Sequence, residues 1–178
     1  MVSAVLFAVI ATRAGVEWPW WWLPAPLALT AFAVPLAAVD LSRRRLPDAL
    51  TMPAAVVVGV AVVVAALLSS SGGLVVSSAV GALVFFGCHW AMHRVRPASL
   101  GAGDVKLSGG LGAVLGAVGW PSVVVGALLA ALTTGMLAVA GRIAGIHAWR
   151  GGVPHGPGLL TGTWLIAVFP GSGWEVGP

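Results

Sequence analysis

Apolar residues run in long unbroken blocks along this chain, and polar residues gather in the short gaps between them. A helix crosses a bilayer with about 20 consecutive apolar residues, and with fewer where neighbours or snorkelling side chains help. Seven blocks qualify: 1–16, 20–41, 50–69, 74–93, 107–120, 122–141 and 158–170. The first, fifth and seventh are the short ones, so the pattern predicts six to seven spans. The second is entered through Trp18-Pro19-Trp20-Trp21-Trp22, and Pro24 and Pro26 place the start of its regular helix after them. Pro35 falls in mid-span, where neighbouring helices can accommodate a kink. No gap is long enough for a soluble domain, and no internal repeat is present. The expectation is an all-α bundle of transmembrane helices forming one membrane-embedded domain over residues 1–178.

Composition agrees. Charged residues make up 8% of the chain and hydrophobic residues 59%, whereas a soluble domain carries about 25% charged residues. That excludes a soluble enzyme, and the hydrophobicity excludes disorder. The net charge of +4 is too small and too scattered for a nucleic-acid footprint. The single cysteine, Cys88, permits neither an internal disulfide nor a Cys-rich zinc site. Residues 1–12 are apolar without a basic segment before them, so they read as a span and not as a cleavable signal peptide.

The basic residues set the orientation. With seven alternating spans, Arg43, Arg44, Arg45, Arg94, Arg96, Lys106, Arg142 and Arg150 fall on one side and Arg13 alone on the other. The richer side is expected to face the cytoplasm. The Trp cluster at 18–22 and Trp120 then form an aromatic belt at the outer interface. The acidic residues sort in the same way: Glu17 and Glu175 outside, Asp40, Asp48 and Asp104 inside. Asp40 ends an apolar run about one helical turn below the interface, and Asp104 stands at the mouth of the fifth span. Two carboxylates from distant parts of the chain are thus expected at one depth and on one face. Ionisable groups in such places mark function or pair with a partner. Asp48 follows Pro47 before a helix, which suits a cap or turn.

Asp104 sits in Leu100-Gly101-Ala102-Gly103-Asp104-Val105-Lys106-Leu107. Gly101 and Gly103 lack a Cβ, so a peptide backbone could lie close there, although a small-residue helix start explains the string equally well. Gly109, Gly110, Gly112, Gly116 and Gly119 crowd the fifth span. The Gly112/Gly116 step suits close helix packing around Asp104, with dimerisation as the other use. His89 and His93 share a helix face at i and i+4, but the string lacks the Glu of a metalloprotease helix, so interfacial packing is favoured over metal binding.

Three stretches together resemble one family. Ala38-Val39-Asp40-Leu41 followed by Arg45-Leu46-Pro47-Asp48 and Leu50-Thr51 is similar to the first motif of bacterial type IV prepilin peptidases. Gly101-Ala102-Gly103-Asp104-Val105-Lys106-Leu107 followed by Gly112-Ala113 and Gly116 is similar to their second. Val153-Pro154-His155-Gly156-Pro157 with Gly162 and Trp164 resembles their third, with His at 155 where the family usually shows Phe. The resemblance covers roughly residues 30–165. It implies an integral membrane aspartyl peptidase of the Gly-x-Gly-Asp type that needs no metal or other cofactor, with Asp40 and Asp104 as the catalytic pair and Gly101, Gly103, Lys106 and Pro47 as supporting motif residues. It also implies that the enzyme removes short basic leaders from prepilins or pseudopilins at the cytoplasmic face of the bacterial inner membrane. Lys106 would hold Asp104 or the substrate, or serve as an orientation anchor. Bifunctional members carry two Cys-x-x-Cys pairs in an N-terminal extension and also methylate the product; with Cys88 alone, the resemblance carries the peptidase and not the methylation. The competing expectations are a small proton-relaying transporter and a non-catalytic scaffold of a pilus or secretion assembly.

Overall fold

The computed structural model describes residues 1–97, 100–149 and 152–171. Arg150 and Glu175, each assigned to a side above, lie outside the described residues. Those described form seven α-helices: α1 (Val2–Arg13), α2 (Pro24–Arg43), α3 (Asp48–Leu68), α4 (Gly72–Val95), α5 (Ala102–Val118), α6 (Trp120–Ile143) and α7 (Gly156–Val168). All seven sequence blocks are present. Four helical segments among the described residues are long and apolar enough to cross a membrane: Trp20–Arg43, Asp48–Leu68, Gly72–Val95 and Trp120–Ile143. The helices of the first, fifth and seventh blocks are shorter. The protein is an integral membrane helix bundle.

Local chemistry sets the helix ends. α2 begins at Pro24, not beyond Pro26; proline in a first turn costs nothing, because those amides have no intrahelical partner anyway. It stops at Arg44, which takes a left-handed conformation (φ 54°, ψ 28°), and Pro47 leads directly into α3. α5 starts at Ala102, five residues before the apolar block, because the extended Gly101 caps it. Asp104 therefore belongs to the first turn of a helix and not to a loop. Gly119, at φ 141°, separates α5 from α6.

α5 and α7 form the centre. Most of their residues are buried, as befits helices that are apolar or small on every side. α3, α4 and α6 turn rows of Val, Leu and Met outward, among them Val56, Val60, Val63, Leu83, Leu128, Leu132 and Met136. Such a rim is expected where lipid is the solvent. Small residues allow the centre to close. A Cβ on Gly81 of α4 would lie 2.5 Å from the Gly112 carbonyl oxygen and 2.6 Å from the Gly116 Cα. The Gly-x-x-x-Gly face of α5 is therefore occupied by α4 of the same chain.

α7 runs antiparallel to α2 and is held at both ends. Trp22 Nε1 donates to the Ala167 carbonyl at 2.9 Å and Trp18 Nε1 to that of Val168 at 3.2 Å. Arg13 Nε donates to the Val168 carbonyl at 3.1 Å, and its guanidinium lies 4.2 Å from the Phe169 ring centroid. These bonds satisfy carbonyls that a helix C-terminus leaves open. The aromatic-belt expectation is thereby corrected for two residues. Trp18 and Trp22 are buried, while Trp20 and Trp120 remain exposed. Midway, Trp164 Nε1 donates to Thr30 Oγ1 at 2.8 Å.

Candidate active site

At the other end of α7 the three sequence stretches meet. One cavity of about 650 Å³ is lined by Asp40, residues 43–46 and Asp48 of the α2–α3 corner, residues 101–104 and Lys106 at the start of α5, and residues 152–155 ahead of α7. Asp40, in the last turn of α2, and Asp104, in the first turn of α5, both line it. Both carboxylates therefore open on the same space. Each is largely buried, at 4% and 6% exposure, so only a small part of either carboxylate meets the cavity. Asp40 Oδ2 accepts the Gly156 amide at 3.0 Å. Asp104 Oδ2 accepts the Gly101 amide at 3.3 Å. Both carboxylates thus sit at helix N-termini, where backbone amides and the helix dipole favour negative charge. Asp104 Oδ1 is buried and has no hydrogen-bond partner among the described residues. A buried polar atom left without a partner is costly.

The two glycines before Asp104 serve different ends. A Cβ on Gly103 would fall 2.7 Å from Leu46 Cβ and 2.9 Å from its carbonyl oxygen, so Gly103 is required by the α2–α3 corner and not by a ligand. A Cβ on Gly101 would stand 3.4 Å from Asp104 Oδ2; its absence leaves space beside the carboxylate. Pro47 holds the corner extended ahead of α3.

Lys106 does not hold Asp104. Its Nζ lies 2.7 Å from both carboxylate oxygens of Asp48, tying the start of α3 to α5 at the cavity rim. Asp48 is the first residue of α3, and the ion pair is a partner that its position after Pro47 does not reveal. The pair is solvent-exposed, and such pairs contribute roughly 0–1 kcal/mol. Lys106→Met is expected to change stability by less than about 1 kcal/mol, measured by denaturation in mixed micelles; a larger loss would make the pair a structural latch.

His89 Nδ1 bonds the Phe85 carbonyl and His93 Nδ1 the Leu100 carbonyl, both at 2.7 Å. Both histidines of the i, i+4 pair therefore hold backbone. His155, at the cavity wall, contacts Thr134. Sequence reasoning missed Thr134, since a threonine within an apolar helix carries no signal of its own.

Residues 27–139 match the model of a family described as the type IV leader peptidase family. The matched segment includes Asp40 and Asp104 and ends before His155. The chain is 28% identical over 170 residues to the prepilin leader peptidase/N-methyltransferase of Aeromonas salmonicida (strain A449), covering 95% of this chain and 56% of the relative. It is 29% identical over 181 residues to the protein of the same name from Neisseria gonorrhoeae, covering 98% and 58%. With that of Burkholderia pseudomallei (strain K96243) the identity is 30% over 151 residues, covering 78% and 46%. The chain spans about half the length of the curated relatives it matches. No solved structure matches it.

Proposed function

The chain belongs to the type IV leader peptidase family, and from that membership we propose that it is an intramembrane aspartyl endopeptidase. Its substrates are prepilin or pseudopilin-like proteins, and it removes their short basic leaders at the cytoplasmic face of the inner membrane. The observation that carries this reading is the meeting of Asp40 and Asp104, 64 positions apart in sequence, on one cavity at one end of the bundle.

The chemistry follows from the pair. Two adjacent carboxylates do not both ionise readily, so they share one proton and titrate as a unit. The ionised member takes a proton from a water, and the oxygen of that water attacks the scissile carbonyl carbon. The protonated member donates a hydrogen bond to the carbonyl oxygen as charge develops there, then passes its proton to the departing amine as the C–N bond breaks. The unpartnered Oδ1 of Asp104 supports a carboxyl that finds its partner only when water or substrate arrives.

Orientation rests on the basic residues. Arg43, Arg44 and Arg45 end α2 and follow it, Arg94 and Arg96 end α4 and follow it, and Arg142 lies in the last turn of α6. The antiparallel packing brings these ends together around the cavity, which supports a cytoplasmic site. A proton-relaying transporter would need carboxylates nearer mid-membrane, whereas both of these stand in terminal turns.

The test is co-expression with a prepilin in a host lacking its own leader peptidase. The pilin is expected to lose the mass of its leader, with the new N-terminus confirmed by sequencing. Failure to process any of the host's own prepilin-like proteins would remove the peptidase reading.

A further inference from the structure

Behind Asp40 lies a group of side chains that the cleavage chemistry does not use. Thr134 Oγ1 donates to the Ala130 carbonyl at 2.8 Å. Its one proton is spent there, so in the 2.9 Å contact with His155 Nδ1 the hydroxyl accepts and the imidazole donates. Burial and the neighbouring His89 push the His155 pKa down to about 4. The ring is thus neutral across the physiological range, with its proton on Nδ1. His89 donates its own Nδ1–H to the Phe85 carbonyl. Its ring stacks on that of His155, centroids 6.1 Å apart and planes at 29°. The hydrogen bond at its edge and the ring beside its face restrict how His155 is oriented.

The backbone carries that orientation to the carboxylate. His155 is the N-cap of α7, and its carbonyl accepts the Leu159 amide at 3.1 Å. The next amide along the chain, that of Gly156, donates to Asp40 Oδ2 at 3.0 Å. This is the one hydrogen bond made by the Asp40 carboxylate among the described residues. A Cβ at Gly156 would stand 2.6 Å from the same oxygen, so amide and carboxylate meet with no slack between them.

We infer that Thr134 and His155 form a positioning tether from α6, holding the Gly156 amide on Asp40 and so fixing how that carboxylate is aimed into the cavity. The inference rests on the peptidase reading above for its consequence in catalysis, and on geometry alone for the tether. The two residues act through Asp40 and need not touch the substrate.

Two readouts test it. His155-Gly156 is the only His-Gly step in the sequence, so protein labelled with carbonyl-¹³C histidine and ¹⁵N glycine isolates the Gly156 amide in a micelle NMR spectrum. Its proton is expected downfield in wild type. It is expected to move upfield in Asp40→Asn and in Thr134→Val, and to return in Thr134→Ser, which restores the hydroxyl. In the cleavage assay Thr134→Val should lower kcat on the order of tenfold with KM unchanged, because misaiming a reacting group costs rate and not binding. Thr134→Ser should recover it. His155→Asn, which keeps an N–H donor near Nδ1, should exceed His155→Leu in kcat; this comparison serves if Thr134→Val fails to fold. An unmoved Gly156 amide and unchanged kcat in folded Thr134→Val, with wild type active, would overturn the tether and leave the peptidase standing. A responsive Gly156 amide in a protein that cleaves no prepilin would support the tether and remove the peptidase reading.

Discussion

Asp40→Asn and Asp104→Asn are each expected to cut prepilin cleavage by about 10²–10⁴-fold, the range a positioned acid or base contributes, while the helix bundle stays intact. Asparagine keeps the shape of the carboxylate and can still meet the Gly156 or Gly101 amide through its oxygen. What it cannot do is exchange a proton. The double variant should be no worse than the poorer single one, because the two groups act as a unit and removal of either ends their joint work. The measurement is kcat on a prepilin peptide in micelles, beside the melting temperature of each variant. A variant with full activity at either position would end the two-carboxylate mechanism. Equal losses in activity and melting temperature would assign the residues to structure instead.

Gly81→Val should have the largest effect on folding. The new Cβ would fall within 2.6 Å of both the Gly112 oxygen and the Gly116 Cα. Those are backbone atoms of α5 and cannot swing aside as a side chain can. Overpacking a tight core costs typically 1–3 kcal/mol and sometimes more; with backbone on both sides, ~3 kcal/mol or more is expected. Since α5 carries Asp104, activity should fall with the folded fraction. Gly135→Val on α6 is the control, for nothing lies within 4 Å of a Cβ there. Size-exclusion profiles after detergent extraction compare the two. Equal behaviour would mean that helix propensity, not the α4–α5 contact, governs the loss.

Much of this could be read from the residues. Apolar block lengths locate all seven helices, because in lipid a span must be both helical and apolar. The same logic brings Asp40 and Asp104 to one end: the order of spans alternates, and both residues stand next to basic gaps. Boundaries are less legible where a helix starts on small or proline residues. α5 begins at Ala102 and α2 at Pro24, both outside the expected limits, because hydropathy does not register capping. Pairings across the sequence are invisible to it altogether. Lys106 finds Asp48 58 residues away, and Trp22 finds Ala167 145 away. From sequence the tryptophans read as interface anchors, because their indoles suit a headgroup layer. Only the nearby end of α7 shows what two of those N–H groups serve.

The shortness of α7 has a consequence for the lipid around it. Its 13 residues extend about 20 Å at 1.5 Å per residue, against a hydrocarbon slab of about 30 Å. α7 is thus too short to cross such a slab by itself, and its ends are met inside the bundle, by Arg13, Trp18 and Trp22 at one and by Asp40 at the other. A helix shorter than the slab is accommodated by local thinning of the bilayer or by neighbours that cross it, and α2 and α6, which pack against α7, are long and apolar enough to do so.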